Sequence, residues 1–289
     1  MQMPGFNRTV LDLAEALAAG RTSSRELVEA ALARVAAPDG EGARTFVAVY
    51  ADSAMAAADA QDRLRKAGYV ASPLAGLPVS VKDLFDVAGE RTLAGSKALD
   101  DSPPAAHDAP TIARLRAAGA VLIGRTNMTE FAFSGGGINL HYGTPGNPYD
   151  RRLIPGGSSS GAAVSVADGQ AVVGIGTDTG GAVRIPAAFC GIAGFKPTQY
   201  RIPRDGVMPL STTLDSIGPL AISIACCAIV DAIMAGELPA VPAPIPVEAL
   251  RLGVPRPMFW MGSRPRSPMP LPRLAQACRA PVPGWSIFR

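Results

Sequence analysis

Twice in this chain a helix-like stretch runs through a glycine directly into a short apolar run, and that arrangement limits the fold more than any other feature. "APTIARLRAAGAVLIGRTN" reads as helix, glycine, then the apolar residues 121–123; "GAAVSVADGQAVVGIGTDTG" reads as a small-residue helix followed by an apolar strand over residues 172–175. Strands that are apolar throughout are buried on both faces, the mark of an α/β unit built around an internal sheet. The stretch "LAGLPVSVKDLFDV" differs, because it alternates. Leu77, Val79 and Val81 fall on one side of a strand, Ser80 and Lys82 on the other. Upstream, "VLDLAEALAAG" predicts a short amphipathic helix ended by Gly20. Ser23 and Glu26 have capping-box spacing and predict the start of a second helix, and an Ala-rich third helix stops at Gly68. A chain of 289 residues, 48% hydrophobic, is long enough for one large domain or two small ones with a true core. No internal repeat is visible.

Several classes are set aside on composition. The N-terminal twenty residues lack a basic segment followed by an apolar run, so no signal peptide is expected. No apolar run reaches membrane-spanning length. "GPLAISIACCAIVDAIMAG" comes closest, but Pro219 opens it and Asp231 interrupts it, which predicts a buried helix. Four cysteines without CxxC spacing fit a reduced, cytoplasmic protein better than a disulfide scaffold. The net charge of +3 is unevenly spread: the stretch after Glu248 holds seven arginines and no acid, so residues 1–248 sum to −4. That basic stretch lacks the aromatic interleaving or charge stripe of a nucleic-acid arm, so no nucleic-acid or membrane partner is expected.

Two segments stand apart. Residues 133–161 are rich in Gly, Ser and Pro, and a loop that long is more often functional than decorative. From Pro239 onward lie twelve of the 27 prolines. "RPRSPMPLPRLAQACRAPVPGW" has neither a strand nor a helix period, and residues 261–289 read as an aberrant tail after a domain of residues 1–260.

Where chemistry could reside is narrowed by what is missing. With only His107 and His141, no HExxH and no paired CxxC, a zinc site is not expected, and no other cofactor is. "GSSSG" fits a G-x-S-x-G elbow centred on Ser159, yet no histidine follows it to complete a Ser-Asp-His set. Serine with lysine remains. Lys82 ends an apolar strand, where desolvation would lower its pKa toward the range of a general base. On local sequence alone, a lysine beside an aspartate such as Asp83 is more often a solvated surface charge. Gly180 and Gly181 fit a nest of N–H groups for an oxyanion, and fit a plain strand-to-helix turn equally well.

The run "PGGSSSGAAVSVADGQAVVGIGTDTGGAVRIPAAFCGIAGFKPT", residues 155–198, strongly resembles the signature of the amidase signature family. The resemblance extends through "LAGLPVSVKDLFDV", "VLIGRTNMTEFAFSG" and "DGVMPLSTTLDSIGPLA", over roughly residues 8–235. It implies a mixed β-sheet core covered by helices on both faces. It implies a Ser–cis-Ser–Lys triad in which Lys82 is the base and Ser158, after a cis peptide bond, is the bridging serine. The nucleophile position, 24 residues beyond Ser158, is Ala182, where the family pattern "TGGS" reads "TGGA". The backbone N–H groups of Thr179, Gly180, Gly181 and residue 182 would form the oxyanion hole. Family members carry several hundred further C-terminal residues that complete the sheet and pocket.

The implied activity is hydrolysis of carbon–nitrogen bonds in small carboxamides or aryl amides, with this chain inactive because of Ala182. Two alternatives stand beside it: the A subunit of a glutamyl-tRNA(Gln) amidotransferase, and a non-catalytic amide-binding protein. The expected partner is a small amide substrate, with a homodimer left open.

Overall fold

The structure is a computed structural model in which residues 8–246 are described. The elements follow in the order α1 (Val10–Ala18), α2 (Ser24–Val35), α3 (Gly42–Thr45), β1 (Phe46–Val49), α4 (Ala51–Lys66), β2 (Pro78–Lys82), α5 (Pro110–Ala117), β3 (Val121–Thr126), α6 (Ser160–Ala167), β4 (Val173–Asp178), α7 (Arg184–Cys190), β5 (Ala193–Gly194), β6 (Ser216–Ala221) and α8 (Ile224–Ala235). Local chemistry sets several boundaries. Ser23 accepts the Glu26 N–H while Glu26 reaches back to the Ser23 N–H, the reciprocal box that starts α2. Thr9 and Asp12 do the same for α1. Past α4, Gly68 takes a left-handed φ of 83°.

The six strands form one mixed sheet in the order β1-β3-β2-β4-β6-β5. Its centre, β3-β2-β4, is parallel, and β1, β6 and β5 run antiparallel to their neighbours. Every residue of β2, β3, β4 and β6 is buried. On one face, Val10, Leu13, Ile112, Leu115, Ile229 and Val230 of α1, α5 and α8 pack on Val79, Val81, Val173 and Ile175. On the other, α2 and α4 cover Val121 and Ile123 with Val28, Ala31, Ala54 and Ala58, while α6 and α7 cover Leu220. Each of these Val, Leu and Ile side chains fully removed from water stabilises the fold by roughly 1.5–3 kcal/mol before chain entropy is counted. The expected two-faced α/β architecture is therefore present.

The stretch around Pro219 departs from the expectation of a single helix. Residues 216–221 are β6, and α8 starts only at Ile224. Ser223 has extended backbone and its hydroxyl accepts the Cys226 N–H, which places the helix start there. Pro219 is tolerated in a strand because β5 pairs with β6 only at Leu220 and Ala221, so β6 is close to an edge at the proline. No helix among the described residues is long and apolar enough to cross a membrane.

The described residues up to Val241 form one compact unit, and residues 242–246, which fall outside it, hold no helix or strand. The sequence boundary at 260 and the tail at 261–289 lie outside the described residues.

Candidate active site

Lys82 is the last residue of β2 and is completely buried. The alternation read from sequence holds here: Val79 and Val81 join the core under α1, α5 and α8, and Ser80 turns the other way to share a 2.8 Å hydrogen bond with Ser165 of α6. Lys82 follows Ser80 by two residues and meets the start of the same helix. Its Nζ donates to Ser158 Oγ at 2.8 Å and to Thr177 Oγ1 at 2.9 Å. Burial pushes the amine down to about 7, against the opposing charges of Asp178 and Asp215. Near neutral pH a large share of Lys82 is thus uncharged and able to accept a proton.

The solvated-lysine alternative fails for a specific reason. Asp83 does not neutralise a surface lysine; it is itself buried and accepts Arg125 Nε at 2.7 Å and the Gly95 N–H at 2.9 Å. Arg125 also donates Nη2 to the Phe85 carbonyl at 2.8 Å. This buried pair fixes the turn that follows Lys82 and leaves the lysine facing hydroxyls.

Ser158 sits between two supports. Its carbonyl accepts the Thr129 N–H at 3.1 Å, and the next residue's N–H donates to the Ala182 carbonyl at 3.2 Å. The Gly157–Ser158 peptide bond is cis. Ser159 packs over β4 at Gly176, where a Cβ would stand 2.6 Å from Ser159 Oγ, so only glycine lets the serine loop lie against the strand. The long loop before it, residues 133–159, contains no helix or strand and is nonetheless tied down. Gly146 N–H donates to the buried Glu41 at 2.8 Å, and Arg151 reaches both oxygens of Asp168 at 2.9 Å.

The turn of residues 179–183 is organised from beneath by Asp178, the last residue of β4. Its carboxylate accepts the N–H groups of Gly181 at 2.7 Å and Val183 at 3.2 Å, and two guanidinium hydrogen bonds from Arg184 at 2.9 Å. Burial pushes this carboxyl up, and the Arg184 and backbone hydrogen bonds outweigh burial to hold it below the usual range. Gly181 has a φ of 128°, which disfavours any side chain. The Gly181 N–H is donated to Asp178, so Gly181 shapes the turn. Position 182 presents only a methyl group, half-buried beside the turn.

A cavity of about 460 Å³ opens beside these residues, lined among others by Thr177, Thr179, Leu84, Met208, Asp215 and Ile217. Asp215 accepts the Thr179 hydroxyl and the N–H groups of Leu210 and Ser211, at 2.9 and 3.0 Å for the two amides. Among the described residues no cluster of His, Cys, Asp and Glu could hold a metal ion. Thr177, Asp178, Arg184 and Asp215 were not singled out from sequence. The first two stand in "GTDTGG" itself, where a carboxylate three residues before a glycine with unusual φ is a readable sign of a turn cap. Asp215 gives no local sign, because its partners lie 4 to 36 residues away.

A buried lysine hydrogen-bonded to a serine that precedes a helix thus lies at the carboxyl ends of parallel strands, next to a glycine turn. The Amidase family model matches residues 26–258. The chain is 42% identical over 270 residues to the A subunit of glutamyl-tRNA(Gln) amidotransferase from Roseiflexus sp. (strain RS-1), covering 89% of this chain and 55% of that one. It is 47% identical over 214 residues to the AtzE subunit of 1-carboxybiuret hydrolase from Pseudomonas sp. (strain ADP), covering 74% and 47%. It superposes on native peptide amidase from Stenotrophomonas maltophilia with a TM-score of 0.82 at 35% identity, covering 96% of this chain and 61% of that one. The chain belongs to the amidase family. It spans about half the length of the curated relatives it matches.

Proposed function

We propose that this chain carries an amide-hydrolase site whose proton relay is assembled and whose attacking group is missing. The observation that carries the reading is the 2.8 Å contact of the buried Lys82 Nζ with Ser158 Oγ, beside the turn that carries Ala182. With a hydroxyl at position 182, neutral Lys82 would take the Ser158 proton while Ser158 took the proton of that hydroxyl, whose oxygen would add to the amide carbonyl. The N–H groups of Thr179, Gly180 and residue 182 would face the developing oxyanion. The proton would return through Ser158 to the departing nitrogen, and water would release the acyl group. A methyl group at 182 blocks the first step, so the chain as written binds an amide without covalent turnover.

Small carboxamides or aryl amides are the proposed ligands, a reading supported by relatives named as a peptide amidase and as part of 1-carboxybiuret hydrolase. The test is release of ammonia or aniline from benzamide- and anilide-type substrates by the purified chain. No release above buffer is expected, since loss of the attacking member of a catalytic unit removes several orders of magnitude in rate. Turnover at rates typical of an intact serine hydrolase would overturn the reading of position 182. Three buried, unbridged cysteines, Cys190, Cys226 and Cys227, support a cytoplasmic location.

A second reading is favoured by the 42% identity to an amidotransferase component. In that role the chain would assemble with a partner protein, while Ala182 would block ammonia release at its own site as above. Co-purification with a B-type partner supports it, and a chain that elutes alone in the presence of that partner counts against it.

A further inference from the structure

Asp215 lies just before β6, is 9% exposed, and has no cationic side chain paired to it among the described ion pairs. Its two oxygens serve different neighbours. Oδ1 accepts the hydroxyl of Thr179, in the turn that carries position 182; Oδ2 accepts the N–H groups of Leu210 and Ser211, in the segment that walls the cavity. Arg204, also on that wall, donates to the backbone carbonyls of Thr212 and Asp215 at 3.0 and 3.4 Å, so the wall closes on Asp215 from both sides. We propose that Asp215 is a positioning residue that ties the cavity wall to the turn at position 182, and that its charge acts on Lys82 from the start of β6, where the next residue, Ser216, pairs with Asp178, the neighbour of the Thr177 that accepts from Lys82 Nζ.

The proposal rests on the reading of Lys82 as the base. Its electrostatic side has few contributors. Asp178 of β4 and Asp215 favour the ammonium form of Lys82 against burial. Asp83, the residue after β2, is paired with Arg125 of β3, and α6, whose start faces the lysine, holds no charged residue. Removing the Asp215 charge while keeping its shape therefore moves the titration of Lys82 to lower pH.

The chain contains four lysines, Lys66, Lys82, Lys97 and Lys196, so carbon-13-labelled lysine gives a spectrum that Lys82→Met assigns directly. Titration of the whole chain and of Asp215→Asn, with folding checked by circular dichroism, is expected to show the Lys82 midpoint shifted downward in the variant. An unshifted midpoint in folded Asp215→Asn overturns the proposal while leaving Lys82 as base. A wild-type midpoint at the ordinary lysine value instead overturns the base reading, and the proposal falls with it. Should Asp215→Asn fail to fold, Thr179→Val cuts the tie without changing charge. Faster hydrogen exchange at the Leu210 and Ser211 amides is then expected, and unchanged exchange there overturns the tie.

Discussion

Lys82 Nζ stands 2.8 Å from Ser158 Oγ although 76 residues separate them in the chain. The contact exists because β2 and β4 run parallel side by side and α6, which follows Ser158, packs back over both. Gly174 of β4 permits that close packing: a Cβ there would stand 2.6 Å from the Ala162 carbonyl oxygen of α6.

That packing makes the first prediction. Gly174→Ala forces backbone against backbone, and overpacking of this kind costs about 1–3 kcal/mol. A lowered melting temperature is expected. A variant that melts with the wild type would mean that α6 can lift away from the sheet without loss.

The second prediction concerns pH. Folded Lys82 titrates near 7 and an unfolded lysine near 10.5, so between those values the unfolded chain binds more protons and stability rises with pH. The cost of burying the amine, on the order of 5 kcal/mol at most, is present in full at acid pH and fades as pH climbs toward the unfolded value. Lys82→Met keeps the volume and removes the charge. Urea unfolding is expected to show it more stable than wild type near about pH 6, with the advantage shrinking by about pH 10. A variant without any advantage at the lower pH would place Lys82 at an ordinary lysine pKa.

The third prediction tests the buried pair behind Lys82. Arg125 and Asp83 are both nearly inaccessible to solvent. Arg125→Met leaves Asp83 unpaired, which costs about 3–5 kcal/mol for a buried pair. Denaturant titration is expected to show a large loss for the single variant and a smaller one for Asp83→Asn combined with Arg125→Met. Equal losses would show that the arginine matters only through its hydrogen bond to the Phe85 carbonyl.

These cases also show which parts were legible in sequence. The start of α2 was, because both partners of its cap, Ser23 and Glu26, lie within one turn. The alternation in β2 was, because Ser80 and Lys82 are polar on one side only. The boundary between β6 and α8 was not: Pro219 is a usual helix opener, and what makes it acceptable in a strand is the brevity of β5, a fact about a neighbouring strand. Lys82 was ambiguous for a similar reason. Asp83 looked like its counter-ion, and only the fold reveals that Arg125, 42 residues on, takes that carboxylate instead. Family resemblance named Lys82, Ser158 and Ala182, while the carboxylates that shape and tie the turn, Asp178 and Asp215, emerged from the geometry.

The most direct test of the central claim, a relay without an attacker, is covalent labelling with a fluorophosphonate read by intact mass and peptide mapping. The chain as written is expected to remain unmodified, and Ala182→Ser to gain one phosphonyl group at residue 182, since the serine restores a hydroxyl next to the Lys82–Ser158 pair. Labelling of the unaltered chain at Ser158, Ser159 or Ser160, or an Ala182→Ser variant that stays unlabelled while folded, would contradict the account.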